Sequence, residues 1–187
     1  VRKLLIRGVL YCAICAAAVG LVSVPFRVRV DDYLVAETFA EFYDMEPNTC
    51  DAVLVGGSNA YTQFNSPQAW GELGIAVCNM GIPQLEPYAI QSIVEEVRTT
   101  QPDALYVITV NSLQWHRSIS RAHFAYDYMH WGKAKTEGLE RVSELMDLDF
   151  GERAGLYVPV LDFHGNWDTL LSSAFVKERE HVRAGAT

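Results

Sequence analysis

With 187 residues, 50% of them hydrophobic and 20% charged, the chain is long enough for one packed domain and too apolar to remain disordered. A formal net charge of -8 and a pI near 5.1 leave no basic surface to neutralise phosphates, which excludes nucleic acid as an expected partner.

The first thirty residues stand apart from the rest. An uncharged run extends from Gly8 to Phe26; as a helix it covers about 28 Å, close to the thickness of a bilayer core. Residues 1–30 therefore read as a transmembrane anchor, with the membrane as a partner, and residues 31–187 as the remaining domain. Arg2, Lys3 and Arg7 precede the run while Arg27 and Arg29 follow it, so the positive-inside preference for a cytoplasmic N-terminus is slight. A cleaved signal peptide is the rival reading, although no small-x-small site precedes Asp31 and Asp32. Under both readings the bulk of the chain is expected on the extracytoplasmic side. Cys12 and Cys15 form a C-x-x-C within the apolar run, where a redox motif would have no polar approach, and they read as small helix residues.

Next in order, "DDYLVAETFAEFYDM" carries aromatic and aliphatic residues at helical spacing behind an Asp pair that suits a helix start. Three short runs rich in Val and Ile follow, at 52–55, 75–78 and 104–110, bounded by Gly, Asn or Pro as buried strands are. Between the first two, Ser66 is the expected N-cap of a helix with Pro67 at its first position. Between the second and third, Ile90, Ile93, Val94 and Val97 make one apolar stripe that ends before Pro102. Strands alternating with helices imply an α/β fold with a parallel sheet covered on both faces. Cys50 and Cys78, at opposite ends of neighbouring strands, are expected roughly 13 Å apart and unable to form a disulfide. Beyond Asn111, "AKTEGLERVSELMDL" reads as helix, "GLYVPVLDF" as either a strand or a buried helix, and 168–182 as an amphipathic helix.

In an open parallel sheet, function collects outside the carboxyl ends of the strands. Three polar loops are expected there: "GGSN", "NMGIPQ" and "NSLQWH". Ser58 reads as a nucleophile at a strand-to-loop turn, with Gly56 and Gly57 permitting backbone angles that other residues resist. Attack on an ester carbonyl would create an oxyanion; the candidate donors are the backbone N–H groups of Ser58 and Gly81 and the amide of Asn111. The plainer reading of "GGSN" is a turn that caps the following segment. A phosphate cradle lacks both its lysine and a complete G-x-G-x-x-G.

Three stretches, "CDAVLVGGSNAYTQFNSPQAW", "GIAVCNMGIPQLEP" and "ALYVITVNS", together resemble the opening of an SGNH (GDSL-type) hydrolase of the membrane-anchored bacterial envelope branch. The likeness covers about residues 44 to 115. It implies a three-layer, flavodoxin-like sheet, here an incomplete one. It also implies Ser58 as nucleophile, Gly81 and Asn111 in the oxyanion hole, and a late Asp-x-x-His as base. Departures accompany it. Gly57 replaces the acid of the family name, the third block lacks a following Asp, and the Asp-x-x-His formed by Asp127 and His130 comes only sixteen residues after Asn111. His164, with Asp162 and Trp167 nearby, is the second candidate base, and a base beyond the C-terminus is the third.

His116 and His123 read as solvent-exposed, and His181 as part of a charged tail. The seven-residue recurrence of His116, His123 and His130 is too wide for a usual metal set, so no metal or other cofactor is expected. The aromatic segment "WHRSISRAHFAYDYMHW" reads as a cover over the crevice, suited to sugar rings. The leading expectation is a membrane-anchored serine esterase or acyltransferase acting on acyl esters of envelope glycans or polymers. The alternatives are a non-catalytic or truncated module that binds a glycan or membrane partner, and a plain structural anchor.

Overall fold

A computed structural model of the chain describes residues 2–26, 33–114, 116–158 and 160–161. It divides into two compact units, Val1–Arg29 with Val158–Thr187, and Val30–Tyr157.

The first unit contains α1 (Arg2–Phe26). At 25 residues it is about 37 Å long, and it begins ahead of the uncharged run because Arg2, Lys3, Leu4 and Leu5 are strong helix formers. Among the described residues it is the one helix long and apolar enough to cross a membrane, with a mean hydropathy of 2.1 over its most apolar window. An anchor and a signal sequence share that composition.

The second unit opens with α2 (Tyr33–Tyr43), which buries Val35, Phe39 and Phe42 on one face. Then follow β1 (Ala52–Gly56), α3 (Ser58–Gln63), α4 (Ser66–Leu73), β2 (Val77–Gly81), α5 (Pro87–Val97) and β3 (Leu105–Ile108). A 3-10 turn over Val110–Leu113 leads to α6 (Ile119–Tyr126), α7 (Lys133–Leu145) and α8 (Phe150–Tyr157). The strands form a parallel sheet in the order β2-β1-β3, with Val53 opposite Cys78 on one side and Tyr106 on the other. The chain is thus α/β with a three-stranded parallel sheet.

Val53, Leu54 and Val55 are all buried, as a central strand covered on both faces requires. β2 starts two residues later than its apolar run suggests and continues through Asn79 and Met80. The cause lies just upstream: Gly74 closes α4 in the left-handed conformation, Ile75 stays exposed, and Met80 is the residue that enters the core. Asn79 is therefore a strand residue rather than a loop residue. Among the described residues, coverage on both faces does not extend to β3, whose Leu105 is 67% exposed with Val107 and Ile108 also open.

Further expectations change for local reasons. Asn65, not Ser66, caps α4, its side chain accepting from the Gln68 N–H at 3.0 Å. Only part of the aromatic segment reaches the crevice: His116 and Arg121 border it, while α6 buries Ala122, His123, Ala125 and Tyr126, and the Tyr126 hydroxyl bonds Ser92 of α5 at 3.1 Å. α7 approaches so closely that a Cβ on Gly138 would lie 2.3 Å from Ser92 Oγ. Of "GLYVPVLDF", the first three residues end α8. His164, Trp167, the 168–182 segment and His181 lie outside the described residues. Cys50 and Cys78 are both free, and Cys50 Sγ lies 3.1 Å from Met45 Sδ.

Candidate functional site

β1 and β3 are neighbours in the sheet but not in sequence, so the loops leaving their carboxyl ends part and open a crevice between them. A cleft of about 240 Å³ occupies that place. Gly57, Ser58 and Asn59 border it from the β1 side. Gln84, Leu85 and Glu86 contribute from the loop after β2, and Asn111, Ser112, Gln114 and His116 from the segment after β3. Arg121 of α6 completes the wall.

Ser58 is the first residue of α3 and is exposed. Its hydroxyl makes no hydrogen bond with any described residue, while its backbone N–H and that of Asn59 belong to the open first turn of α3. The glycines before it serve close approach rather than unusual dihedral angles, because Gly57 has φ -77° and the only glycine with positive φ is Gly74 among the described residues. A Cβ on Gly56 would fall 2.2 Å from Thr109 Oγ1. The Gly57 N–H donates to Ser112 Oγ at 2.7 Å, and Ser112 Oγ lies 2.8 Å from Thr109 Oγ1. The hydroxyls of the β3 loop thereby pin the turn that displays Ser58.

Asn111 stands exposed on the opposite wall of the cleft, its amide free of bonds to described residues. Gly81 does not border the cleft. It ends β2, paired with Gly56, and is buried where a Cβ would meet the Tyr61 backbone nitrogen at 3.0 Å and Asn79 Oδ1 at 3.1 Å. Asn79 bonds the Ala60 carbonyl through Nδ2 at 2.9 Å, tying β2 to the first turn of α3. Gly81 and Asn79 thus support the turn from behind.

Asp127 and His130 do not act as a pair. Asp127 Oδ1 is 3.0 Å from His123 Nδ1, and both side chains are buried, so His123, expected in solvent, is only 4% exposed. The period of α6 explains this, since Asp127 follows His123 by four residues and shares its face. His130 stacks on Tyr43, with ring centroids 3.5 Å apart, and its backbone N–H donates to the Tyr43 hydroxyl at 2.7 Å. That hydroxyl in turn donates to Glu96 at 2.9 Å. Glu96 lies one residue from the end of α5, whereas Glu86 at its start borders the cleft. Ten residues of helix separate the two by about 15 Å, so His130 is held near the opposite end of α5 from the Glu86 that borders the cleft.

Among the described histidines the one that borders the cleft is His116, half exposed at 51%. Its Nδ1 is 3.1 Å from Glu86 Oε1, and its backbone N–H donates to Glu86 Oε2 at 2.7 Å. Arg121 Nη1 donates to Glu86 Oε1 as well. Glu86 is only 1% exposed and does not cap α5 with its side chain, because its oxygens turn toward these three donors. The N-terminus of α5, with Pro87 in its first turn, favours a negative charge at that place. Sequence reasoning missed Glu86, His116 and Arg121 as a group: thirty residues separate Glu86 from His116, and no local spacing joins them. Among the described residues no cluster of three His, Cys, Asp or Glu side chains could hold a metal ion.

Comparison of the chain with protein-family models, with characterised proteins and with solved structures gives no match.

Proposed function

We propose that the second unit is a serine-nucleophile acyl hydrolase or acyltransferase of the SGNH type, acting on short acyl esters carried by a glycan or another hydroxylated envelope polymer. The observation that carries it is the exposed Ser58 hydroxyl at the carboxyl end of the central strand, bordering one cleft with Asn111. Attack by Ser58 Oγ on the acyl carbon puts negative charge on the carbonyl oxygen. The N–H groups at the open turn of α3 and the Asn111 amide are the donors available to meet it. The cleft is smaller than most ligand pockets, and among the described residues its walls carry amides, hydroxyls and charges with Leu85 as the one large aliphatic side chain. That lining suits an acetyl-sized group on a polar carrier better than a long chain. With α1 as a membrane anchor, the unit would work on the extracytoplasmic side.

The test is covalent labelling of the detergent-solubilised chain with a fluorophosphonate, together with turnover of a short-chain aryl ester. Wild-type protein is expected to label at Ser58 and Ser58→Ala is expected to lose both signals. Equal turnover by the two proteins would reject the nucleophile.

A non-catalytic module that binds a glycan is the second reading, favoured by the place of His130 at the far end of α5 from Ser58. It predicts a wild-type protein that does not label, together with glycan retention that Ser58→Ala leaves intact.

A further inference from the structure

We infer that His116 is the general base for Ser58 and that Glu86 is its positioning residue. This rests on the reading of Ser58 as a nucleophile and supplies the proton acceptor that Asp127 and His130 do not.

A serine hydroxyl attacks an ester only as its proton leaves, so an acceptor must share its cleft. Among the described histidines, His123 is enclosed with Asp127 and His130 is stacked on Tyr43 away from the cleft. His116 borders the cleft with Ser58, and half of its ring is open. Its partner also fixes its chemistry. Glu86 receives the His116 backbone N–H and an Arg121 N–H, donors that suit a carboxylate, and a carboxylate can only accept from Nδ1. The proton of the neutral ring then resides on Nδ1, and the lone pair of Nε2 is left for the cleft. Burial of Glu86 makes the arrangement stiff: its carboxylate is held at the start of α5 by three donors from the segment after β3 and from α6.

As the Ser58 Oγ to acyl-carbon bond forms, the hydroxyl proton moves to Nε2 and the carbonyl electron pair becomes the oxyanion. Collapse breaks the bond to the leaving alkoxy oxygen, which takes the proton back from Nε2. Water in hydrolysis, or a hydroxyl of the acceptor in transfer, next gives its proton to Nε2 while attacking the acyl-serine. Departure of Ser58 Oγ recovers that proton. Glu86 keeps its bond to Nδ1 throughout and faces the imidazolium as it forms.

The test measures fluorophosphonate labelling rates on the full detergent-solubilised chain. His116→Ala is expected to lower the rate by about 100-fold or more, and added imidazole to restore part of it. His116→Gln, which keeps a donor toward Glu86 but has no basic nitrogen, is expected to lose as much while melting as the wild type does. Glu86→Gln is expected to slow labelling, yet to add nothing in the double variant with His116→Ala, which a purely structural role would not produce. If His116→Ala and His116→Gln label at the wild-type rate while Ser58→Ala does not label, His116 is not the base and the nucleophile stands. If wild-type Ser58 fails to label, the nucleophile falls and the base with it.

Discussion

Ser112 Oγ accepts the Gly57 N–H at 2.7 Å, joining the segment after β3 to the turn that carries Ser58. Through Thr109, which bonds the same oxygen at 2.8 Å, the contact also reaches the end of β3. Ser112→Ala leaves the Gly57 donor without its partner beneath the cleft. We expect a loss of about 1–3 kcal/mol in urea unfolding and slower labelling of Ser58, with the labelled site unchanged.

The two glycines before Ser58 are expected to respond differently to alanine. At Gly56 the new methyl would collide with Thr109 Oγ1 at 2.2 Å, whereas at Gly57 it would meet Ser112 Oγ at an ordinary 3.5 Å. Gly56→Ala should cost about 1–3 kcal/mol and disturb the turn. Gly57, with φ -77°, should accept alanine with a change of less than ~1 kcal/mol. Paired unfolding curves check the contrast; a larger loss at Gly57 would contradict it.

His130→Ala removes a ring stacked on Tyr43 and leaves the cleft untouched. The expected outcome is a stability loss of about 1 kcal/mol with the Ser58 labelling rate preserved. A collapse of labelling in a variant that still melts cooperatively would place His130 in the chemistry after all.

Burial, and next the adjoining Cys50 thiol, push the Cys78 thiol up to about 12. At pH 8 the folded protein should therefore alkylate Cys78 slowly with iodoacetamide, and unfolding should release it, as peptide mass spectrometry will read. The sign of the stability effect follows. The folded value lies above the ordinary 9.0, so the neutral thiol favours folding below pH 9 and that contribution fades as pH rises toward 12. Cys78→Ser should flatten this part of the pH curve.

The strand runs around Val53, Cys78 and Tyr106 were legible because buried parallel strands read as continuous apolar stretches whatever their neighbours are. Their ends were less so: β2 slid by two residues because Gly74 and the core position of Met80, not the edge of the apolar run, set its start. The exposed face of β3 was also hidden, since a run such as "ALYVITV" reads the same with or without a covering helix.

For the cleft, local composition singled out Ser58 and Asn111, because polar residues directly after buried strands must emerge at one edge of a parallel sheet. It singled out Asp127 and His130 as well, and there the three-residue spacing misled, since Asp127 was claimed by His123 one helical turn earlier and His130 by Tyr43 of α2. Glu86 and His116 carry no signal in their own neighbourhoods. They meet because β2 and β3 flank the same central strand and release their loops at the same edge, so the pairing follows from strand order. The sequence by itself determined an apolar N-terminal helix, parallel strands and a serine at the end of the first of them, all properties of residues within a few positions of one another. Only tertiary structure decided which of the described histidines borders the cleft with that serine, because a bond across thirty residues depends on how the sheet is ordered and not on any spacing along the chain.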